Sequence, residues 1–63
     1  MKINLNSASK AELMKLPNVG EKTAIAIIEY RNRKPFNHPS ELKNIKGIGD
    51  KKYDTMKDFI EVK

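Results

Sequence analysis

The sequence reads LPNVG over residues 16–20 and IKGIG over residues 45–49. Both stretches place a turn-tolerant residue, Asn18 or Gly47, before one aliphatic residue and a glycine, and a helical pattern follows. Glycine adopts positive φ at little cost and asparagine is the next most tolerant residue, so Asn18 can stand where the second stretch has Gly47. Each stretch therefore predicts a tight turn whose aliphatic residue points into a core.

The two stretches belong to a longer internal repeat, because aligning Gly20 with Gly49 gives an offset of 29 residues that also matches other positions. The offset pairs Glu12 with Glu41, Leu13 with Leu42, Leu16 with Ile45, Val19 with Ile48, Glu21 with Asp50, Lys22 with Lys51, Ile27 with Met56, Glu29 with Asp58 and Tyr30 with Phe59. Agreement at apolar and charged positions alike predicts two copies of one helix–turn–helix unit. We place copy one over about 9–32 and copy two over about 38–60 of a single domain spanning 1–63.

In copy one, Ser9 and Glu12 have the spacing of a capping box, which marks the start of the first helix. Pro17 disfavours helical geometry in the residue before it, so the first helix should stop near that point. The second helix is predicted over about 21–32. Its core-facing stripe consists of Ala24, Ile27 and Ile28.

In copy two, Asn37 or His38 is the expected cap, Pro39 suits the first helical position, and Glu41 has capping-box spacing from His38. The second helix is predicted over about 50–60. Its core-facing positions are Tyr53, Met56, Phe59 and Ile60.

The remaining apolar residues complete the predicted packing. Phe36, in the polar connector between the copies, is expected to fill their junction. Ile3 and Leu5 alternate with polar neighbours and should lie extended against the helices. The predicted fold is all-α: a compact bundle of about four short helices, related in pairs by pseudo-twofold symmetry.

Composition narrows the class of protein. The 63 residues carry 13 Lys+Arg against 8 Asp+Glu, a net charge of +5, with no cysteine and one histidine. Without cysteine the chain can form neither disulfides nor a thiolate metal site, and so short a chain leaves little room for a deep pocket. No apolar run approaches the ~18 residues of a membrane span. The excess of basic residues favours a polyanionic partner, although a soluble basic protein would also have it.

The turns carry the predicted chemistry. Backbone N–H groups beside Gly20 and Gly49 should face outward at the start of a helix, where they can bind an anion. The candidate phosphate-binding residues are Asn18, Gly20, Lys22, Lys46, Gly47, Gly49, Lys51 and Lys52. One such turn alone could simply connect two helices, but the same glycine and lysine in both copies favour a phosphate site. Glu21 and Asp50 oppose it by repelling an anion, although acids are also ordinary partners of the first helical turn.

As a set, these residues resemble a known pattern. The hairpins resemble the helix-hairpin-helix motif, and nearly all of the chain is similar to the tandem domain of the ComEA competence family. The segments that carry the resemblance are Ile3–Ser9, Glu12–Pro17, Gly20–Ala24, Ile27-Ile28, Tyr30-Arg31, Pro35-Phe36 and Lys46–Gly49.

The resemblance implies binding of duplex DNA without sequence preference, in DNA uptake during transformation. It also implies a monovalent cation site on backbone carbonyls, at positions matching Leu16, Val19, Ile45 and Ile48. Asn18 replaces the usual first glycine of hairpin one, which we expect to weaken or reshape its grip. The implied location is the extracellular face of the cell membrane for an anchored protein, and the cytoplasm otherwise.

We do not expect an enzyme. No Ser/His/acid set, paired-histidine metal spacing or Walker-type loop occurs, and the only histidine, His38, stands at a predicted helix start. We expect double-stranded DNA as partner, a monomeric state, no cofactor, no small-molecule substrate and no membrane contact from this segment. The alternative is a protein-interaction or dimerisation module with the same fold, which predicts an exposed apolar patch. We find no clear surplus of apolar residues outside the core stripes.

Overall fold

The structure is a computed structural model and describes residues 2–63. These residues contain five helices and two strands, joined by turns. In chain order they are strand β1 (Ile3–Asn4), helix α1 (Lys10–Leu13), helix α2 (Glu21–Arg33), a first 3-10 helix (Pro39–Asn44), helix α3 (Asp50–Met56), a second 3-10 helix (Lys57–Phe59) and strand β2 (Ile60–Glu61). Turns separate the helices at residues 16–20 and 45–49, as predicted. Within residues 2–63, no helix combines the length and apolarity needed to cross a membrane.

Helix α1 begins at the predicted capping box. The backbone N–H of Glu12 donates to Ser9 Oγ at 3.1 Å, and the backbone N–H of Ser9 donates to Glu12 Oε1 at 2.9 Å. Beyond Leu13 the hydrogen bonds tighten, and the N–H of Leu16 donates to the carbonyl of Leu13, three residues back, at 3.1 Å. The α-helix therefore ends earlier than Pro17 alone predicts, and a tighter turn completes the approach to the hairpin.

The corresponding helix of copy two is a 3-10 helix. It starts at Pro39, and the Glu41 carboxylate accepts backbone N–H groups from Asn37 at 2.7 Å and His38 at 3.0 Å. Both residues considered as caps thus donate to one carboxylate. Its six residues are more than the three or four over which the tight 3-10 geometry usually extends.

Helix α2 is the longest element and presents the predicted stripe to the core. Ala24 and Ile27 are fully buried, and Ile28 is half-buried. One turn further along the same face of α2, the Arg31 guanidinium donates to the carbonyl of Leu5 at 3.0 Å and to that of Ala8 at 2.6 Å. These bonds hold the N-terminal segment against α2.

The prediction of an all-α fold is wrong in one respect, because β1 and β2 form a two-stranded parallel sheet. Ile3 lies opposite Ile60 and Asn4 opposite Glu61, and the Leu5 N–H donates to the Glu61 carbonyl at 3.0 Å. The N-terminal segment is buried through its apolar side chains, so its backbone polar groups need partners. The C-terminal residues supply those partners by leaving the helix.

Helix α3 is consequently shorter than the predicted 50–60. The α-helix ends at Met56, and the 3-10 helix that follows delivers Ile60 to the sheet, where it is buried. Phe59, predicted to face the core, is 48% exposed. Phe59 lies in that 3-10 helix, beyond the end of α3, so the core-facing stripe of α3 does not extend to it.

Phe36 fills the junction between the copies, as predicted. It is 2% exposed and stacks on Tyr30, with ring centroids 4.7 Å apart. Asn6 fixes its backbone, because Asn6 Oδ1 accepts the Phe36 N–H at 2.8 Å and Asn6 Nδ2 donates to the Phe36 carbonyl at 3.0 Å. The same amide donates to the Lys63 carbonyl at 3.2 Å, so one side chain joins the N-terminal segment, the connector and the C-terminal residues.

The core is apolar throughout the described residues, with no buried polar or charged residue. It is formed by Ile3, Leu5, Ala8, Leu13, Leu16, Val19, Ala24, Ile27, Phe36, Leu42, Ile45, Ile48, Met56 and Ile60. Both hairpins and both ends of the chain contribute to it. The core therefore fixes the position of each turn relative to the rest of the chain.

The capping carboxylates predict how stability depends on pH. Backbone hydrogen bonds from Ser9 and Asn37 lower the pKa of Glu12 and Glu41, respectively, below the ordinary value of 4.5. A depressed folded-state pKa gives stability that is present above pH 4.5 and is lost as the pH falls through the folded value. We expect the Tm to fall between about pH 6 and about pH 3, measured by circular dichroism.

The variants Glu12→Gln and Glu41→Gln serve as the controls. Each should melt at a lower temperature than the wild type near neutral pH but lose less on acidification, because glutamine cannot gain the proton. An acid loss in both variants equal to that of the wild type would show that other carboxylates cause it.

Candidate nucleic-acid interface

The two turns, called hairpin one (16–20) and hairpin two (45–49), have matching backbone conformations. Asn18 has φ 64° and Gly47 has φ 95°, and within residues 2–63 these are the positions with positive φ. The prediction that Asn18 can take the place that Gly47 has in the second turn is therefore confirmed. Left-handed geometry here reverses the chain within a few residues.

An aliphatic residue anchors each hairpin to the core. Val19 is 6% exposed and its N–H donates to the Leu16 carbonyl at 3.3 Å, while Ile48 is 3% exposed and its N–H donates to the Ile45 carbonyl at 3.0 Å. All four of these residues are buried. With the aliphatic residue turned inward, the glycine that follows lies at the surface.

Gly20 and Gly49 precede α2 and α3 with nearly identical geometry. Their φ,ψ angles are −93°,−172° and −100°,−171°, which other residues also adopt. A Cβ at either position would meet nothing within 4 Å. Neither backbone strain nor crowding within the chain therefore requires glycine here, and the absence of a side chain leaves the backbone open to an external group.

The helices after these glycines begin without a side-chain cap. The first intrahelical bonds are those from Ala24 to the Gly20 carbonyl, at 2.9 Å, and from Tyr53 to the Gly49 carbonyl, at 3.0 Å. The N–H groups of a first turn have no intrahelical acceptor, so they are available to an acceptor from outside. The longer helix α2 adds the positive end of its dipole.

The candidate lysines surround these turns. Lys22, Lys46, Lys51 and Lys52 are all exposed, and the ion pairs formed within residues 2–63 include none of them. Their ammonium groups therefore remain available to an anionic partner.

The acids that follow the glycines are paired with other lysines. Glu21 Oε2 lies 2.9 Å from Lys10 Nζ, and the hydrogen bond from Lys10 lowers the pKa of Glu21. Asp50 Oδ1 lies 3.5 Å from Lys43 Nζ, which also sits over the Tyr53 ring. These pairs offset the repulsion that each acid would exert on an anion at its glycine.

Sequence analysis missed Lys10 and Lys43. The 29-residue offset does not relate them, since Lys10 corresponds to Pro39 and Lys43 to Met14. In both copies a lysine thus neutralises the acid after the glycine, but the two lysines occupy positions that differ by four residues, about one helical turn, relative to that glycine. A search for lysines six to ten residues before each glycine would have found them.

Hairpin one also contacts the second copy. Asn18 Nδ2 donates to Thr55 Oγ1 at 3.1 Å, and that hydroxyl donates to the Lys52 carbonyl at 2.7 Å. This chain of bonds places hairpin one against α3, the helix that carries Lys51 and Lys52. The repeat alone did not predict it, because Gly47 and Ala26 at the corresponding positions cannot form such a bond.

The four carbonyls considered for a monovalent cation belong to the two hairpins. Those of Leu16 and Ile45 already accept the turn hydrogen bonds from Val19 and Ile48. A carbonyl oxygen has a second lone pair, so a cation there stays a prediction. In residues 2–63, His, Asp and Glu side chains form no cluster suited to a metal ion.

Comparison with known proteins gives two similar chains. Over 62 residues, 97% of this chain and 30% of the relative, the chain is 36% identical to ComE operon protein 1 of Bacillus subtilis (strain 168). Over 55 residues, 87% of this chain and 14% of the relative, it is 44% identical to a protein named deoxyribonuclease from Thioalkalivibrio sp. (strain K90mix). The chain thus spans less than a third of the length of either relative.

The resemblance identified from the hairpin segments is confirmed by the first of these similarities. The family model described as the helix-hairpin-helix motif matches residues 1–61, which include both hairpins and every candidate residue around them. The chain therefore belongs to the helix-hairpin-helix motif family.

Proposed function

We propose that this chain binds duplex DNA through its backbone phosphates, without sequence preference, using hairpins one and two together. The observation that carries the proposal is the open backbone at Gly20 and Gly49, which the fold does not itself require. Backbone N–H groups with no side chain above them suit a phosphate oxygen, because it can approach closely. The exposed lysines beside both glycines add the charge that such contacts use.

The chemistry of these groups accounts for the absence of sequence preference. N–H groups and lysines that contact phosphates fix the position of a protein on DNA but carry no sequence information. Asn18, the candidate whose amide could read an adenine edge, instead donates to Thr55 Oγ1 at 3.1 Å.

The matched hairpins support a two-strand clamp. The φ,ψ angles of Gly20 and Gly49 agree within a few degrees, and the aliphatic anchors Val19 and Ile48 are similarly buried. We infer that a pseudo-twofold axis relates the two units and sets both glycines on one side. Duplex DNA has two backbones related by twofold axes, so each hairpin would hold one strand across the narrower minor groove.

The relatives suggest where such a module acts. We propose that it holds DNA during uptake in competence, as the name ComE operon protein 1 suggests for the Bacillus relative. In the relative named deoxyribonuclease the matched segment is 14% of the protein, and we propose that it contributes binding there, not cleavage. The corresponding role for this chain is a non-enzymatic DNA-binding module.

The competing interpretation is a protein-interaction module. Three large apolar side chains are exposed by 41–48%: Met14, Ile25 and Phe59. Met14 lies in the turn after α1, Ile25 in α2 and Phe59 in the second 3-10 helix. The open glycines and unpaired lysines occur in both copies, so DNA binding is the better supported function.

The proposal predicts how the affinity for duplex DNA depends on salt concentration. With about 4–6 phosphate contacts, the plot of log affinity against log salt should have a slope of about −4 to −5. Fluorescence anisotropy with two duplexes of unrelated sequence, at several salt concentrations, measures it. Both duplexes should give the same affinity; a flat salt response, or a strong preference for one sequence, would contradict the proposal.

A second prediction separates binding from folding at the glycines. Gly20→Ala and Gly49→Ala should each weaken duplex binding by about tenfold, because a hydrogen bond to a charged group contributes roughly 1.5 kcal/mol. The free energy of unfolding should change by less than about 1 kcal/mol, since the reduced entropy of the unfolded chain offsets poorer capping. Anisotropy and chemical denaturation measure the two quantities.

Gly47→Ala serves as a control for stability, because it is the same substitution at a glycine whose backbone conformation does favour glycine. Its φ of 95° is strained for alanine, so this change should lower stability by about 1–2 kcal/mol. Wild-type affinity in Gly20→Ala and Gly49→Ala would mean that no phosphate approaches those glycines.

The third prediction tests the clamp. Duplex DNA should outcompete single-stranded DNA of equal length, because a single strand satisfies one hairpin fully and the other only by bending. Gly20→Ala and Gly49→Ala should each reduce this preference, and we expect the larger effect at hairpin two, where Lys46 and Gly47 stand. Equal affinity of the wild type for both forms would refute the clamp even where DNA binding is observed.

A further inference from the structure

A shallow cleft opens beside hairpin two. Among the candidate phosphate-binding residues, Lys46 is the one that lines it. The cleft has a volume of about 170 Å³ and lies between α2 and the segment that leads into hairpin two. Its lining consists of Ala26, Glu29, Tyr30, Arg33, Asn44, Ile45 and Lys46. This volume is well above the roughly 10–15 Å³ that a single water molecule needs, so a larger polar group can enter.

The repeat explains why the cleft lies on this side. Beside hairpin one, Asn18 and Thr55 form a hydrogen bond at 3.1 Å between the turn and α3. The residues at the corresponding positions are Gly47 and Ala26, neither of which can form it. Of these two residues Ala26 lines the cleft, and its small side chain leaves that space open.

The polar groups around the cleft are mostly hydrogen-bond donors. Arg33 and Lys46 are exposed, and the ion pairs of residues 2–63 include neither of them. Asn44 Nδ2 is only weakly engaged, at 3.4 Å from the Tyr30 hydroxyl. Glu29 also lines the cleft and opposes an anion, but its single negative charge is outnumbered by the two positive charges of Arg33 and Lys46. A guanidinium, an ammonium and an amide together suit an anion with several oxygen acceptors.

We propose that Arg33 and Lys46 bind one additional phosphodiester of the DNA strand that hairpin two holds. The inference rests on the proposed function, and Lys46 carries the argument for DNA because it belongs to both hairpin two and the cleft. The contact has no counterpart beside hairpin one, where Pro17 and Val62 stand at the positions that correspond to Lys46 and Arg33. The module therefore grips the two strands unequally.

The test compares Arg33→Gln with Lys34→Gln, which removes the same charge from the next residue, outside the cleft lining. Duplex affinity is measured by anisotropy across a range of salt concentrations. Arg33→Gln should lose about fivefold in affinity, with the slope of log affinity against log salt reduced by about one, as expected for the loss of one phosphate contact. Lys34→Gln should lose less than about twofold, with an unchanged slope.

A charge-neutral variant completes the test. Ala26→Met should fill part of the cleft with a flexible side chain that favours helix, so duplex affinity should fall while the circular dichroism spectrum stays the same. Equal losses in Arg33→Gln and Lys34→Gln, together with wild-type affinity in Ala26→Met, would overturn the cleft and leave the proposed function standing. A wild type that shows no salt-dependent duplex binding would instead overturn the proposed function.

Discussion

The inward anchoring of one aliphatic residue in each hairpin is the constraint on which the rest of the structure depends. Val19 and Ile48 can reach the core only where the chain reverses sharply, and the left-handed residue before each of them provides that reversal. The glycine that follows must then face outward, at the beginning of the next helix. Burial of these two apolar side chains thus determines which backbone groups meet the solvent.

Local sequence signals predicted the parts of the fold that short-range geometry determines. The Ser9 capping box, the reversal at Asn18 and the start of α2 each depend on residues within one or two turns of each other. The placement of Phe36 was also predictable, because a lone aromatic residue in a polar connector has few alternatives to burial. Of the exposed lysines of the candidate site, Lys22 and Lys51 followed from the 29-residue repeat.

Long-range pairing was not predictable in this way. The strand at Ile60 forms because the buried N-terminal segment needs partners for its backbone polar groups. Ile3 and Ile60 are 57 residues apart, so the residues around Ile60 carry no local pattern that predicts the pairing. The side chains of Lys10 and Lys43 approach Glu21 and Asp50 only after the helices pack. Their positions break the repeat, so the signal that revealed the hairpins could not reveal them.

The parallel pairing of β1 and β2 has a mechanical consequence. Because the strands run in the same direction, a pull on the chain before Ile3 and after Glu61 draws them past each other along their length. The ladder hydrogen bonds and the Asn6 bond to Lys63 would then bear the load together instead of opening one at a time. Forced unfolding is governed by the rate of barrier crossing, and shear of this kind raises that barrier.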